Sequence, residues 1–363
     1  MVALVEVLAE VRGQVGCITL NRPRALNALS LPMIRAITAS LLTWREDSRI
    51  QAIAIRGMGK TGPFGVFCAG GDIRFFHQAV GIGNPELEDF FTEEYALNHL
   101  IHNYPKPTIA FMDGVVMGGG MGLSQGARVR VVTEHTQMAM PETHIGLFPD
   151  VGGGYFLSRC PGRVGEWLAL SGAQIGADDA VQFGLADVRM AVGNLPQAWD
   201  ALGELTFGDG STLEQWVATH SIAGCAYPTR ATGQINHYFS LNSVPEMILA
   251  LEADADEWAQ QTAALLRKAS PLMLHVTLEQ IRRSRSMSLA DDLRMERDMV
   301  RRCFTLRPGP ASETMEGIRS LAVDKDRNPR WNPARMEDVT PEMVELFFQS
   351  PWPAHAHPLR DLA

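Results

Sequence analysis

Two glycine-rich turns beside acidic residues are the part of this sequence best suited to chemistry. The segment Asp113-Gly-Val-Val-Met-Gly-Gly-Gly-Met-Gly-Leu123 follows a strand-like run, Pro107 to Met112, and precedes a stretch compatible with a helix. Successive glycines let a backbone approach a ligand closely, and the N–H groups at a helix start have no acceptor within the helix. Such donors suit an oxygen that gains negative charge during a reaction. A triple glycine on its own is better explained by tight packing. Here a second turn, Cys68-Ala-Gly-Gly-Asp72, also follows a strand-like run and offers a second N–H.

Other motifs carry less. Gly122-Leu-Ser124-Gln-Gly126 has the spacing of the serine-hydrolase nucleophile elbow, which needs a strand running straight into the serine. Met117-Gly-Gly-Gly-Met121 cannot end a strand well, so Ser124 is predicted as a small residue on a helix already begun. A Ser124-dependent thioesterase stays as an alternative, because His220, His237 and His275 lie downstream. Gly57-Met-Gly-Lys-Thr-Gly62 matches the dinucleotide fingerprint, yet Pro63, Phe64 and Gly65 stand where a helix must open to hold a pyrophosphate. A flexible loop is predicted there. His355 and His357 lie in a proline-rich tail, and the chain has neither an HExxH arrangement nor a CxxC pair, so no metal is expected.

These residues sit in a chain of 363, 46% hydrophobic and 20% charged, which is globular composition and excludes a disordered or collagen-like chain. The net charge of −9 argues against nucleic acid as a partner, while leaving room for a local basic patch. Five separated cysteines, Cys17, Cys68, Cys160, Cys225 and Cys303, form no disulfide framework. The opening MVALVEVLAEVRGQ has no basic lead-in, and the apolar stretch Thr108 to Ser124 is broken by Asp113 and glycines. Neither a secretory signal nor a membrane span is expected, and the default is a soluble protein of a reducing compartment.

The elements that must position the turns follow from periodicity. Strands are predicted at Val15–Leu20, Ile50–Ile55, Thr108–Met112 and Val129–Val132. A helix should start near Ser30 and Pro32, with Ile34, Ile37, Leu41 and Trp44 on one face. Strands interleaved with helices imply an α/β architecture. Of 33 glycines, 25 lie at or before position 184, and the remainder of the chain looks mostly helical. Ser270-Pro271 should open one helix, burying Leu274, Leu278 and Ile281, and Ser288 a charged one reaching about Arg302. Past 303 the chain is rich in proline and charge, predicting turns and a lid or tail. The domains are set at 1–200 and 201–363, with the boundary between about 190 and 225.

In order along the chain, NRPRALNAL (21–29), FCAGGDIR (67–74), DGVVMGGGMGL (113–123) and MPETHIGLFPDVGGGYFL (140–157) resemble the crotonase, or enoyl-CoA hydratase/isomerase, superfamily. Glu94-Tyr95, Asp150 and EGIRSLAVDKDRNPRWNP near the C-terminus resemble its thioester-hydrolase branch, over residues 10 to about 335. The resemblance implies a crotonase-like ββα spiral followed by a mostly helical C-terminal region. It implies that Gly71 and Gly119 supply the oxyanion-hole N–H groups. Pro23, Arg24, Ala25 and Leu26 match the loop along coenzyme A, with Arg24 a phosphate partner. Ala69, Gly70, Asp72 and Ile73 match the part of the pocket near the adenine. Glu142 matches the catalytic glutamate, and Glu94, Gly119, Glu142 and Asp150 match the substrate-contacting positions.

One departure separates the branches. Hydratases of the family use two glutamates, and the position matching the first is Gly122; Asp150 stands where hydratases typically have glycine. Losing one of two paired carboxylates should cripple water addition, since acid–base catalysis contributes ~10²–10⁴-fold. The expected activity is therefore hydrolysis of a short β-hydroxyacyl-CoA, with 3-hydroxyisobutyryl-CoA, an intermediate of valine breakdown, as leading substrate. An enoyl-CoA isomerase, hydratase or dehydratase of the same fold and a silent CoA-binding partner are the alternatives. No cofactor is expected, coenzyme A being part of the substrate. The expected address is the cytoplasm, or the mitochondrial matrix in a eukaryote. The family commonly assembles as trimers through its helical region, which leaves a homo-oligomer open.

Overall fold

The run Val15–Leu20 forms a strand buried on both faces, and its two faces explain the layers around it. A Cβ on Gly16 would press 2.5 Å from the ring of Trp44, so even-numbered residues face the helix Leu31–Glu46. Val15 and Cys17 join the opposite core with Phe111, Trp199 and Trp216. The computed structural model describes residues 5–207, 211–222 and 232–363; Cys225 lies outside them.

The strands are β1 (Val7–Arg12), β2 (Val15–Leu20), β3 (Ala52–Gly57), β4 (Thr108–Met112), β5 (Val115–Met117), β6 (Val129–Val132), β7 (Gln137–Ala139) and β8 (Val188–Arg189). One sheet runs β1-β2-β3-β4-β6-β8, and β5 pairs with β7. β1 and β2 are an antiparallel hairpin; the other pairs of the six-stranded sheet are parallel. A parallel sheet covered on both faces requires the near-continuous apolar runs seen in β2 to β4. The strand predicted at Ile50–Ile55 is displaced to Ala52–Gly57 because Arg56 is accommodated: its guanidinium lies 4.0 Å from the Trp199 ring and bonds Thr19. β1, which sequence periodicity did not pick out, is an edge strand with four exposed residues.

By packing, the chain divides into two units, each assembled from three stretches. The first comprises Met1–Gly71, Leu97–Met138 and Ile175–Arg230 and holds the six-stranded sheet. The second comprises Asp72–Ala96, Ala139–Gln174 and Ala231–Ala363 and is helical. Its helices Pro271–Ser284 and Leu289–Thr305 begin at the predicted caps, Ser270 and Ser288. The region past 303 is more structured than a tail of turns. A buried helix, Glu313–Ile318, and a later one, Pro341–Phe348, follow there, and Arg319 bridges Glu316, Asp324 and Asp326. Among the described residues no helix is long and apolar enough to cross a membrane.

Candidate active site

In the first unit, the NRPRALNAL segment is shaped by one buried side chain. Asn27 sits at φ +55°, accepts from the Arg22 N–H at 2.8 Å, and donates to the carbonyls of Met58, Val66 and Phe67 at 3.0–3.1 Å. Pro23–Ala25 forms a 3₁₀ turn ending at left-handed Leu26. The Ala69 N–H donates to Leu26 O at 3.0 Å, and the Leu29 N–H to Gly70 O at 2.8 Å. The structure therefore joins the two predicted CoA-contacting segments directly. Arg24 is exposed; Asp72, where the second unit begins, caps the helix Ile73–Ile82 by accepting from the Phe75 N–H at 3.3 Å.

The two glycine turns meet at backbone distance. Cys68 pairs with Val116, and a Cβ on Gly120 would lie 2.3 Å from Cys68 O. Gly70, at φ +101°, admits no other residue without strain, and a Cβ there would stand 3.5 Å from the Gly119 nitrogen. Gly119 is the first residue of the helix Gly119–Gln125. Among the described residues, neither its N–H nor that of Gly71 has a backbone acceptor. Two unpaired N–H groups on touching turns can hold one developing oxyanion.

In the second unit, three acids are buried: Glu94, Glu142 and Asp150. Glu142 opens the 3₁₀ turn Glu142–Ile145. That turn is fixed by Thr143 Oγ1 donating to Leu170 O at 3.1 Å, Ser270 N to Thr143 O at 3.0 Å, and Thr314 Oγ1 to Gly146 O at 2.7 Å. A Cβ on Gly317 would lie 2.3 Å from the Ile145 backbone, so the C-terminal EGIRSL motif packs directly on the turn. Glu94 lies on the helix Glu86–His102, and this part of it is anchored by Arg297, which bonds Glu88 and Thr92. Asp150 accepts from the Tyr95 hydroxyl at 2.7 Å.

Among the described residues, no cation figures in the influences on these acids. Burial pushes Glu142 well above the ordinary carboxylate range, and the charge of Asp150 adds to it. Glu94 is raised by burial, then by Asp150 and Glu142. Burial raises Asp150 to about 6, the Tyr95 hydrogen bond holding it down. Burial thus outweighs like-charge proximity at Glu142. Glu94 Oε1 and Glu142 Oε2 are buried without a hydrogen-bond partner among the described residues. Buried polar atoms are nearly always paired, so these two are available to a ligand.

Sequence reasoning missed Tyr95 and Asn27 as organisers of the site, although both stand inside the motifs. It also missed Gln280, Asp292 and Glu296, which hold the Asp150 loop from helices more than a hundred residues away. Ser124 is buried on its helix, donating to Gly120 O at 2.9 Å and to Met121 O at 3.2 Å. Ser124 is thus the small helix residue predicted, and no strand runs straight into it as a nucleophile elbow requires. The Gly57–Gly62 segment is a loop with no helix opening after it, closed by a Met58–Pro63 bridge and by the Gly59 N–H donating to Gly62 O at 2.7 Å. Among the described residues no cluster of three or more potential ligands could hold a metal.

A spiral α/β sheet ending in paired glycine turns, with a helical C-terminal region, defines a crotonase fold. The chain belongs to the enoyl-CoA hydratase/isomerase family, whose model matches residues 15–348. It is 37% identical to the mitochondrial 3-hydroxyisobutyryl-CoA hydrolase of Gallus gallus, covering 95% of this chain and 89% of that one. It is 39% identical to that of Danio rerio, covering 95% and 90%. Among solved structures, it is similar to one described as a carnitinyl-CoA dehydratase from Mycobacterium thermoresistibile, with a TM-score of 0.86, 35% identity and 99% of each chain covered.

Proposed function

We propose that this protein hydrolyses 3-hydroxyisobutyryl-CoA to 3-hydroxyisobutyrate and coenzyme A, a step of valine breakdown. The observation that carries the reading is the trio of buried acids, two of them with an unpartnered oxygen. A proton shuttle on an apolar acyl chain needs one carboxylate; a substrate bearing a hydroxyl gives work to the other two. The relatives named as this hydrolase span nearly the whole chain.

In the mechanism we assign, the N–H groups of Gly71 and Gly119 polarise the thioester carbonyl. Removing one such donor costs roughly 10²–10³ in rate. Ionised Glu142 then attacks the carbonyl carbon, expelling the CoA thiolate and leaving an anhydride that water cleaves; or it takes a proton from the water that attacks in its place. One turnover in ¹⁸O-labelled water reveals an anhydride that water opens at the Glu142 carbonyl, since that opening labels Glu142 and the general-base route never does. Glu94 and Asp150 hold the 3-hydroxyl and the water. Pro23 to Leu26, with Ala69, Gly70, Asp72 and Ile73, bind coenzyme A, and no other cofactor takes part. Compartments supplying acyl-CoA are the cytoplasm and the mitochondrial matrix, the latter matching the names of the vertebrate relatives.

The test is free-thiol release from 3-hydroxyisobutyryl-CoA, with crotonyl-CoA hydration followed on the same preparation. Thiol release without hydration is expected. Hydration without thiol release overturns the reading and favours chemistry of the dehydratase kind named in the similar solved structure.

A further inference from the structure

Asp150 is followed by a residue in an unfavourable conformation. Val151 is buried and β-branched yet sits at φ +57°, in the left-handed region that such residues avoid. What imposes this lies on two helices far along the chain. Glu296, fully buried, accepts from the Gly152 N–H at 2.7 Å, the Gly154 N–H at 2.9 Å and Gln280 Nε2 at 3.1 Å. Gln280 Nε2 also donates to Pro149 O at 2.7 Å. One helical turn before Glu296, Asp292 accepts from the Tyr155 N–H at 2.9 Å and the Ser284 hydroxyl at 2.5 Å. A Cβ on Gly154 would lie 2.5 Å from Asp292 Oδ1, so this glycine leaves the room that the carboxylate occupies. The backbone is held on both sides of Asp150, at Pro149 and at Gly152.

We infer that Glu296 is a positioning residue for specificity: through Gly152 and Gly154 it forces the strained turn at Val151 that aims the Asp150 carboxylate at the substrate's 3-hydroxyl. The inference rests on the hydrolase reading above. A glutamine at 296 has one acceptor oxygen for two loop N–H groups, so the turn relaxes at Val151 and Asp150 swings away. A substrate lacking the hydroxyl should not register the change.

The experiment compares Glu296→Gln with wild type on 3-hydroxyisobutyryl-CoA and on isobutyryl-CoA, alone and combined with Val151→Gly. Glycine adopts the left-handed turn freely, so the loop keeps its shape without the grip. Expected is a loss of about tenfold or more in kcat/KM on the hydroxylated substrate. The deoxy substrate should change by less than about twofold, and Val151→Gly should restore most of the loss. Equal loss on both substrates, no loss on either, or no rescue overturns the inference. Should Glu296→Gln not fold, Gln280→Met, which releases Pro149, carries the same substrate comparison. Wild type that releases no thiol from either refutes the hydrolase reading instead. Calorimetric binding of the same two ligands then decides the inference, because Glu296→Gln must still abolish any preference for the hydroxylated one.

Discussion

In the sheet-bearing unit two glycine turns leave N–H groups with no backbone acceptor among the described residues, and Gly70 and Gly120 leave little room for a Cβ; in the helical unit three carboxyl groups are buried, and no cation figures among the causes of their raised proton affinity. Peptide donors do not titrate and cannot be altered without moving the chain. Carboxyls titrate and can be exchanged for near-isosteres. The pH dependence of this protein should therefore arise in the second unit, and steric sensitivity in the first.

The largest effect expected is at Glu142. Glu142→Gln should lower kcat by ~10²–10⁴ while leaving the fold intact. It should also stabilise the protein. The folded-state pKa of Glu142 is raised, so its contribution to stability is full below the ordinary value near 4 and is lost as pH rises through the folded value. The melting temperature of the variant should exceed that of wild type at pH 8, with the gap closing toward pH 5.

Next comes a steric break in the first unit. Gly120→Ala drives a methyl against Cys68 O, and should cost about 1–3 kcal/mol in chemical denaturation together with most of the activity. Unlike Glu142→Gln, it should leave the position of the pH limb unchanged in whatever activity remains.

Asp150→Asn sharpens the comparison. It removes the charge that helps hold the Glu142 proton, so the acid limb of kcat/KM, which rises as Glu142 ionises, should shift to lower pH. Tyr95→Phe acts the opposite way on Asp150 itself. Without the hydroxyl that favours its ionised form, Asp150 should titrate above its present value of about 6 in carboxyl-resolved NMR. Loss of that hydrogen bond should cost on the order of tenfold in kcat/KM on the hydroxylated substrate. Ser124→Ala should do least, reducing thiol release by less than about twofold, since its hydroxyl only bonds its own helix.

How much was legible depended on where each signal resides. Strands β4 and β6 match their predicted limits, because each is a short run of β-branched and apolar residues bounded by polar or turn residues, interrupted only by Arg130 in β6. The helix starts at Ser30, Ser270 and Ser288 were readable because an N-cap is a local transaction between a hydroxyl and an N–H three residues on. The same locality hid Asn27: its donors and acceptors span five to forty residues, and its burial is invisible from its type. The helices past 303 were masked by proline and charge, since the arginine network of Arg319 looks like a solvated tail until its partners are seen.

The sequence alone determined the order of the motifs, the glycines at the two turns, the missing side chain at 122 and the identities of the acids. These depend only on residue type and spacing. Tertiary structure alone decided that Glu142 and Glu94 stand buried near other acids, that the Tyr95 hydroxyl bonds Asp150, and that Glu296 accepts from the loop beside it. The reason is physical. A carboxyl's proton affinity and a loop's strain are set by neighbours distant in sequence, through desolvation and hydrogen bonds that no single stretch of chain encodes.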